Sequence, residues 1–295
     1  MAIKNIVLIG AGGNLGPAIL KNLTASPHNY NVSVLSRQES SYKAPEDVAL
    51  IKTDYSPESL VSALKGQDAV VSVIATTAVL DQKKIIDAAI AAGVKRFVPS
   101  EYGCDSSNPV TLQRVPPLNF KNQIREYLES KQDQIEWTAI YTGPFFDWGL
   151  KVGFLGYNIP EASATLFSAQ KDVPFSTSTL DFIGRAIAQA LSPAIAPKTA
   201  NQRLRVRSFT TTQTQILAAL EKASGKKWTV QETDLDARVK DAQDKLAKSD
   251  FSGVGTLITG AIVDPKAGNN FDYNPSNDLL ELPTEDINAV VKSVL

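Results

Sequence analysis

Cysteine and histidine are almost absent from this chain of 295 residues. Cys104 is its only cysteine and His28 its only histidine. One cysteine cannot form an intramolecular disulfide, and the two residues together cannot supply a cysteine- or histidine-based metal site. A Ser-His-Asp triad is also disfavoured, because His28 lies in SPHNY, a segment typical of an exposed loop. The sequence therefore predicts no metal centre.

The chain also lacks an excess of either charge and any long hydrophobic run. Thirty basic residues face 31 acidic ones, giving a formal net charge of -1. This balance predicts neither a nucleic-acid surface nor a membrane-binding basic patch. No apolar run has the length of a membrane span, and MAIKNIVLIG enters an apolar strand without the features of a signal peptide. We expect a soluble cytoplasmic protein, monomeric or homodimeric.

Apolar strand-like runs alternate with amphipathic helical segments in the first half of the chain. Such alternation is typical of a parallel sheet covered by helices on both faces. The sequence therefore predicts an α/β fold with a doubly wound parallel sheet, the Rossmann architecture. The predicted strands are NIVLI (5–9), VSVLS (32–36), VALIK (48–52), AVVSVI (69–74), RFVPS (96–100) and WTAIY (137–141).

The pattern changes after TGPFFDWG, where glycine, proline and aromatic residues cluster. We predict a dinucleotide-binding domain over 1–147, with 177–193 packing back on it. A smaller α+β substrate lobe is expected over 148–176 and 194–295. Predicted helices cover TLDFIGRAIAQAL (179–191) and TTTQTQILAALEKASG (210–225), the second ending at Gly225. RLRVRS and KWTVQET are predicted as strands of the smaller lobe.

A glycine-rich loop, GAGGNLG, follows the first predicted strand and precedes the first helix. Gly10 permits a tight turn, Gly13 allows close approach of a pyrophosphate, and Gly16 lets the helix pack on the strand. The start of the helix presents free N–H groups to phosphates. The sequence therefore predicts a dinucleotide site, whose candidate contacts are Gly10, Gly12, Gly13, Asn14, Leu15 and Gly16.

The end of the second predicted strand favours NADP(H) over NAD(H). NAD-binding proteins usually place a carboxylate there for the ribose hydroxyls. This chain has Ser36 and Arg37 instead, and an arginine can bind a 2′-phosphate and stack on adenine. Lys43 is a candidate to assist it. Asp54, after the third strand, is a candidate contact for the adenine amino group.

Several of these segments resemble one known family. The glycine loop, the LSR that ends the second strand, DQKKIIDAAIAAGVKRFVPSEYG (81–103) and NFKNQIREYL (119–128) are similar to NmrA-like, isoflavone-reductase-like members of the atypical short-chain oxidoreductases. The likeness covers most of the first 145 residues. It implies either an NADPH-dependent reductase of small molecules or a non-catalytic redox sensor.

Two lysines in PLNFKNQIREYLESK compete as the catalytic residue. Lys121 lies near the predicted helix start, at the edge of the sheet where ligands bind, whereas Lys131 lies about 15 Å further along at ~1.5 Å per residue. Tyr127 and Lys131 spell the Y-x-x-x-K of short-chain oxidoreductases. We expect Tyr127 to face the core, in a stripe with Phe120, Ile124 and Leu128, and Lys131 to lie at the helix end.

The resemblance assigns Lys121 as general acid/base in contact with the nicotinamide ribose, and Arg125 as a cofactor contact. A helix N-terminus, partial burial and a nearby cation would each lower the lysine pKa. Pro117 stands four residues before Lys121, where a typical short-chain dehydrogenase has a tyrosine. Proton delivery is therefore expected from Lys121, from another residue or from water.

Further candidates follow the fourth and sixth predicted strands. Ala75 and Thr76, and then Gly143, Pro144 and Phe145, are expected to flank the nicotinamide. The roles of Ser100, Glu101 and Tyr102 stay open between catalysis and a structural turn. The aromatic residues Phe146, Trp148, Phe154 and Tyr157 are interpreted either as a stacking surface for an aromatic substrate or as packing between lobes.

These observations combine into one expected function. We expect an NADPH-dependent reductase that transfers hydride to a conjugated, benzylic or imine-like carbon of an aromatic or polyketide-type molecule, with Lys121 as general acid/base. A non-catalytic NADP(H)-sensing regulator and a redox-neutral isomerase or cyclase are the alternatives.

Overall fold

The computed structural model describes residues 3–295 of the chain. Its main element is a seven-stranded sheet in the order β10-β6-β5-β4-β1-β2-β3, in which every paired strand is parallel. The strands are β1 Asn5–Ile9, β2 Asn31–Arg37, β3 Ala49–Thr53, β4 Ala69–Ser72, β5 Arg96–Val98, β6 Glu136–Tyr141, β7 Tyr157–Asn158, β8 Ser163–Phe167, β9 Phe175–Thr177, β10 Gln202–Arg205, β11 Phe209–Thr211 and β12 Thr229–Thr233.

Helices cover both faces of this sheet, which confirms the predicted doubly wound α/β fold. Helices α1 and α7 pack together on one face, and α2, α3 and α5 form the layer on the other. The helices are α1 Gly16–Thr24, α2 Pro57–Leu64, α3 Gln82–Ala91, α4 Pro109–Arg114, α5 Asn119–Glu129, α6 Phe146–Lys151, α7 Leu180–Ala190, α8 Ala196–Thr199, α9 Gln213–Ser224, α10 Leu235–Ala247, α11 Val254–Ile262 and α12 Ile287–Val294.

The strand order reverses between β1 and β4, which are neighbours in the sheet although β2 and β3 separate them in sequence. In open parallel sheets the ligand crevice lies at such a switch point, beyond the carboxyl ends of the strands. The loops after β1, β2, β4, β5 and β6 therefore surround the expected site.

A second hydrophobic core lies outside the main sheet. It contains apolar side chains from α4, α6 and α9 to α12, together with β8 of the small sheet β12-β8-β7. Strands β9 and β11 form a separate antiparallel pair. The residue bounds proposed for the two lobes stay a prediction, except that one strand assigned to the smaller lobe lies in the main sheet.

That strand is β10, which corresponds to RLRVRS. Its predicted place in the smaller lobe is wrong, because Gln202–Arg205 pairs in parallel with β6 and extends the main sheet. The prediction for KWTVQET is confirmed as β12, which pairs with β8. No helix within residues 3–295 is both long enough and apolar enough to cross a membrane.

Two predicted helices are confirmed, although Thr210 and Thr211, at the start of the second prediction, belong to strand β11. Helix α7 begins after Thr179, whose hydroxyl accepts a hydrogen bond from the Phe182 N–H, and it packs back on α1. Helix α9 begins with a reciprocal capping box between Thr212 and Gln215 and ends at Gly225, which adopts φ +66°. Such caps satisfy helix-end groups that have no intrahelical partner.

Candidate active site

The glycine loop has the close packing that its spacing predicts. Gly10 adopts φ +91°, and a Cβ there would lie 2.2 Å from the Val73 carbonyl oxygen at the end of β4. A Cβ on Gly16 would lie 2.3 Å from the Gly10 carbonyl oxygen. The loop therefore turns tightly between β1 and β4 and holds the start of α1 against β1.

The first turn of α1 is open to an anion. Gly12, Gly13 and Asn14, which lead into the helix, are exposed. Leu15, at the N-cap position just before α1, is buried and its side chain does not cap the helix. No acidic residue lies in this first turn. Helix N–H groups without a cap, at the positive end of the helix dipole, suit a phosphate. The residues present therefore fit the pyrophosphate of a dinucleotide.

A cavity of about 420 Å³ lies between the glycine loop and the end of β2. Its walls include Gly10, Gly12 and Arg37, together with two tyrosines that sequence reasoning did not select, Tyr42 and Tyr55. The Tyr42 ring lies beside Gly12, where a Cβ would approach it to 2.9 Å. Position in the sequence gave only a weak signal for Tyr55, which directly follows Asp54 at the end of β3.

Arg37 lies at this cavity with most of its side chain exposed. Its Nε lies 3.4 Å from Glu39 Oε1, and both side chains are more than two-thirds exposed. Because such an exposed pair is weak, the guanidinium stays available to a ligand phosphate. Lys43 and Asp54 do not line the cavity. The Asp54 carboxylate instead accepts hydrogen bonds from the backbone N–H and hydroxyl of Ser56, before α2.

The two candidates after β4 lie on the surface of the crevice. Ala75 and Thr76 are exposed, and Thr76 begins a 3₁₀ helix that runs to Asp81. Ser100 has a structural contact nearby, since its hydroxyl donates to the Ile74 carbonyl oxygen over 2.8 Å. This bond ties the end of β5 to the end of β4.

The turn after β6 is held by neighbouring backbone. Gly143 adopts φ +64°, and a Cβ there would lie 2.0 Å from the Ser176 carbonyl oxygen. Its N–H donates to the Gly103 carbonyl oxygen over 3.0 Å. Gly143 and Pro144 are buried, whereas Phe145 is half-buried. Among these three candidates, Phe145 is the one with side-chain surface left for a ligand.

Lys121 lies in the first turn of α5, as predicted, and its side chain is half-buried. Its Nζ donates a hydrogen bond to the backbone carbonyl oxygen of Glu101 over 2.5 Å. Burial holds the Lys121 pKa below its ordinary value, while the negative charge of Glu101 opposes this shift. Burial, and not a nearby cation such as Arg125, is the cause that lowers the pKa of Lys121.

Glu101 is a buried carboxyl group directly behind this lysine. Only 1 % of the residue is exposed, and its Oε2 accepts a hydrogen bond from the Ser106 hydroxyl over 2.8 Å. Burial raises the pKa of Glu101, whereas Lys121, the Ser106 hydrogen bond and Arg125 lower it. Its Oε1 has no hydrogen-bond partner within residues 3–295.

Other polar groups around Glu101 are also buried. Burial raises the pKa values of Tyr102 and Tyr141, and that of the Cys104 thiol to about 12. A thiol with so high a pKa is a poor nucleophile at neutral pH. Lys121 and Glu101 are thus the two groups of this cluster whose pKa values shift toward the physiological range, downward for the lysine and upward for the carboxyl group.

Arg125 lies one turn below Lys121 and is 6 % exposed. Its guanidinium contacts Glu129 Oε1 at 3.0 Å and also donates to the Asn122 side chain. Glu129 in turn binds Arg203 of β10 at 2.6 Å. Arg125 therefore ties α5 to the edge of the sheet, and its predicted contact with a cofactor stays a prediction.

The structure corrects part of the apolar stripe predicted along α5. Ile124 and Leu128 are buried, but Phe120 is 42 % exposed. Tyr127 is only half-buried at the edge of the core, and its hydroxyl donates to Asp87. The prediction that Phe120 belongs to the core stripe is wrong because the start of α5 lies at the open end of the crevice.

Lys131 lies beyond the end of α5, with its ammonium 5.7 Å from the centre of the Tyr127 ring. This cation–π geometry is typical of a surface contact. Tyr127 therefore interacts with Lys131 through its ring and with Asp87 through its hydroxyl, at the opposite end of the helix from Lys121. Within residues 3–295, no three His, Cys, Asp or Glu side chains are placed to hold a metal ion.

The four aromatic residues after β6 divide into two groups. Phe146 and Tyr157 are buried in the second core, where Phe146 packs edge-on against Phe209 at 4.8 Å and the Tyr157 hydroxyl donates to the Gln213 carbonyl oxygen. Trp148 and Phe154 are half-buried. The ring of Trp148 lies 6.3 Å from Phe145 and 5.8 Å from Phe154.

Comparison with protein families gives a match over residues 2–249 to the NmrA-like family. The oxidoreductase aprR of Aspergillus flavus is 36 % identical, with the alignment covering 100 % of this chain and 99 % of that protein. The isoflavone reductase homolog IRL of Zea mays is 28 % identical, over 90 % of this chain and 91 % of that protein.

Solved structures with the same fold include two reductases and the protein AtPrR2. An isoflavone reductase has a TM-score of 0.77 at 21 % identity, with full coverage of both chains. The leucoanthocyanidin reductase–NADPH complex of Vitis vinifera has a TM-score of 0.80 at 17 % identity, over 98 % of this chain and 99 % of that one. AtPrR2 with NADP+ and (+)-pinoresinol has a TM-score of 0.73 at 20 % identity, over 100 % and 99 %.

Proposed function

Because this chain belongs to the NmrA-like family and is an NADP-dependent oxidoreductase, we propose that it reduces a small aromatic or polyketide-type molecule with Lys121 as general acid/base. The observation that carries this proposal is the position of Lys121. The residue is half-buried in the first turn of α5, and its ammonium donates a hydrogen bond to the Glu101 carbonyl oxygen over 2.5 Å.

The residues that would hold NADPH are those of the glycine loop and the end of β2. The uncapped start of α1 suits the pyrophosphate, and exposed Arg37 suits the 2′-phosphate. When bound, the cofactor supplies the hydride. Phe145, Ala75 and Thr76, at the ends of β6 and β4, are proposed to flank its nicotinamide.

Lys121 would supply the proton that balances hydride transfer. Hydride addition leaves negative charge on the substrate, and an ammonium at that place both stabilises the charge and donates a proton to it. The lowered pKa of Lys121 makes this donation easier. One N–H is engaged by the Glu101 carbonyl, so two remain for the substrate and the cofactor ribose. Since Pro117 replaces the usual tyrosine, no second acid at that position competes with Lys121.

The half-buried aromatic series Phe145, Trp148 and Phe154 supports an aromatic substrate. Adjacent ring centroids in this series are 6.3 and 5.8 Å apart, which suits stacking or edge contacts with a further ring. Phe154 also lines a cavity of about 700 Å³ beside α6. The AtPrR2 structure, which contains the aromatic molecule (+)-pinoresinol, is consistent with this substrate class.

The proposal is tested by following NADPH absorbance with purified protein and a panel of aromatic enones, benzylic ethers, imines and polyketide-type aromatics. We expect NADPH oxidation with at least one class, with stoichiometric formation of a product two hydrogens richer. Binding of NADPH without oxidation by any class would favour the sensor. Product formation without net NADPH consumption would favour the isomerase or cyclase.

A further inference from the structure

The cavity beside α6 has an unusual charge distribution. Its volume of about 700 Å³ is in the range of small-molecule sites. No aspartate or glutamate is among its lining residues, whereas two cations are, Lys151 at the end of α6 and Arg238 in the first half of α10. The cavity therefore has a positive electrostatic character, although the whole chain has a formal net charge of -1.

Arg238 differs from every other arginine of the chain. Eight of the nine arginines contact a carboxylate at 3.4 Å or less, and Arg238 is the one without such a contact within residues 3–295. Its side chain makes no hydrogen bond there either, and the residue is exposed. A guanidinium has a planar arrangement of N–H groups that matches a carboxylate in a bidentate pair. Arg238 thus presents an unused carboxylate-binding group at the cavity.

The remaining walls are suited to a carbon framework with polar substituents. Phe154, Leu155 and Ile159 supply apolar and aromatic surface, while Ser252, Thr256 and Thr259 supply hydroxyl groups. A ligand that fits this lining has an aromatic or otherwise apolar body and one anionic group. A neutral, wholly apolar ligand would leave Arg238 unmatched.

One lining residue of the cavity, Phe154, belongs to a series of aromatic side chains that ends at the edge of the sheet. Phe154 contacts Trp148, and Trp148 contacts Phe145 at the end of β6. A molecule held by Arg238 would share the cavity with Phe154, the first ring of a series that leads through Trp148 to Phe145, beside the proposed position of the nicotinamide. This link is the part of the inference that rests on the proposed function.

We propose that Arg238 binds a carboxylate of the substrate, so that the enzyme selects acid-bearing aromatic or polyketide-type molecules over their neutral esters. Lys151 contributes a second positive charge at the same cavity. Arg238 is then a specificity-determining residue, remote from the reacting carbon.

The test measures binding with matched pairs of aromatic acids and their methyl esters, such as cinnamic, benzoic and phenylpyruvic acids. Isothermal titration calorimetry on the NADP+-saturated protein gives the dissociation constants. We expect at least one acid to bind about tenfold or more tightly than its ester. This preference should fall as salt is raised, because charge–charge attraction at an open site is screened.

Three variants assign the effect to the residue. Arg238→Gln should remove most of the acid-over-ester preference and leave only the part due to Lys151, whereas Arg238→Lys should retain more of it. Lys240→Gln, an exposed charge change on the same helix outside the cavity lining, should leave it unchanged. Equal binding of acid and ester across all pairs, or an unchanged preference in Arg238→Gln, overturns the proposal. Because Arg238 is exposed, each variant should keep the wild-type melting temperature, which is checked first.

Failure of this inference is distinguishable from failure of the proposed function. NADPH oxidation with neutral substrates and no acid preference would refute the role of Arg238 and leave the reductase intact. Acid binding that depends on Arg238 without any NADPH oxidation would refute the reductase and leave the binding site intact.

Discussion

The ammonium of Lys121 donates a hydrogen bond to the backbone carbonyl oxygen of Glu101, whose own side chain is buried and bonded to Ser106. The loop after β5 thus acts on Lys121 in two ways. Its backbone carbonyl holds the ammonium in place, and the Glu101 charge influences the pKa of the lysine. Burial lowers the pKa of Lys121 from its ordinary value of 10.5, and the Glu101 carboxylate works against this change.

The first prediction follows from that opposition. Glu101→Gln removes the negative charge and retains the shape, so the Lys121 pKa should fall further. The alkaline limb of NADPH oxidation, on which the ammonium loses its proton, should then move to lower pH. Glu126→Gln, an exposed change on α5, is the matched control and should leave that limb in place. An alkaline limb that stays in place in Glu101→Gln would show that the carboxylate has no effect on the lysine.

The second prediction concerns cofactor choice. Arg37→Asp replaces the cation at the end of β2 with a carboxylate that repels a 2′-phosphate. NADPH affinity should fall about tenfold or more, the value of one charge-assisted contact, while NADH affinity should change little. Fluorescence titration with both cofactors measures the two constants. Lys65→Asp, which makes the same charge change at the exposed end of α2, is the control. Equal losses for both cofactors would contradict the NADP(H) assignment.

The third prediction concerns the turn that carries Phe145. Gly143 and Gly225 have nearly the same φ, +64° and +66°, but a Cβ on Gly143 meets the Ser176 carbonyl oxygen at 2.0 Å and one on Gly225 meets nothing within 4 Å. Gly225→Ala should therefore lower the free energy of unfolding by only the conformational cost, about 1–2 kcal/mol. Gly143→Ala should lower the free energy of unfolding by at least about 2 kcal/mol more than Gly225→Ala, because the backbone at Gly143 or Ser176 must move to admit the Cβ. Urea denaturation of both variants compares the costs, and equal values would exclude the close approach to Ser176.

The fourth prediction concerns the Y-x-x-x-K pattern. Tyr127→Phe removes a hydroxyl that donates to Asp87 at the surface, far along α5 from Lys121. The rate of NADPH oxidation should stay within about twofold of wild type. The substitution should lower the free energy of unfolding by at most about 1 kcal/mol. A rate reduced by two orders of magnitude or more would return the catalytic role to Tyr127 and Lys131.

Much of this arrangement was predictable because it depends on local signals. The strand–glycine loop–helix order predicted the tight turn and the helix start that follow β1, and the two prolines before α5 predicted that Lys121 lies near the helix start. The end of α9 at Gly225 was predicted from residue type and position. Each of these features involves residues that are neighbours in sequence.

The features that were missed depend on contacts between distant segments. RLRVRS alternates apolar and charged residues like a strand of a small half-exposed sheet, and nothing local indicates that it pairs with β6. Its Arg205 in fact binds Asp105, 100 residues away, at 2.5 Å. The burial of Glu101, and the lack of a carboxylate partner for Arg238 among residues 3–295, are likewise set by the fold as a whole. Phe120 is apolar like a core residue, but it is exposed because it lies at the start of α5.

The proposed reaction depends on acid/base chemistry by Lys121 during NADPH-dependent reduction. The most direct measurement is the single-turnover rate of NADPH oxidation in Lys121→Met at saturating cofactor, on a substrate that the wild type reduces. Methionine retains the unbranched apolar chain and removes the ammonium. We predict that the rate falls 10²- to 10⁴-fold, the usual contribution of a general acid or base, while NADPH affinity changes only a few-fold. A rate equal to that of the wild type would refute the acid/base role of Lys121.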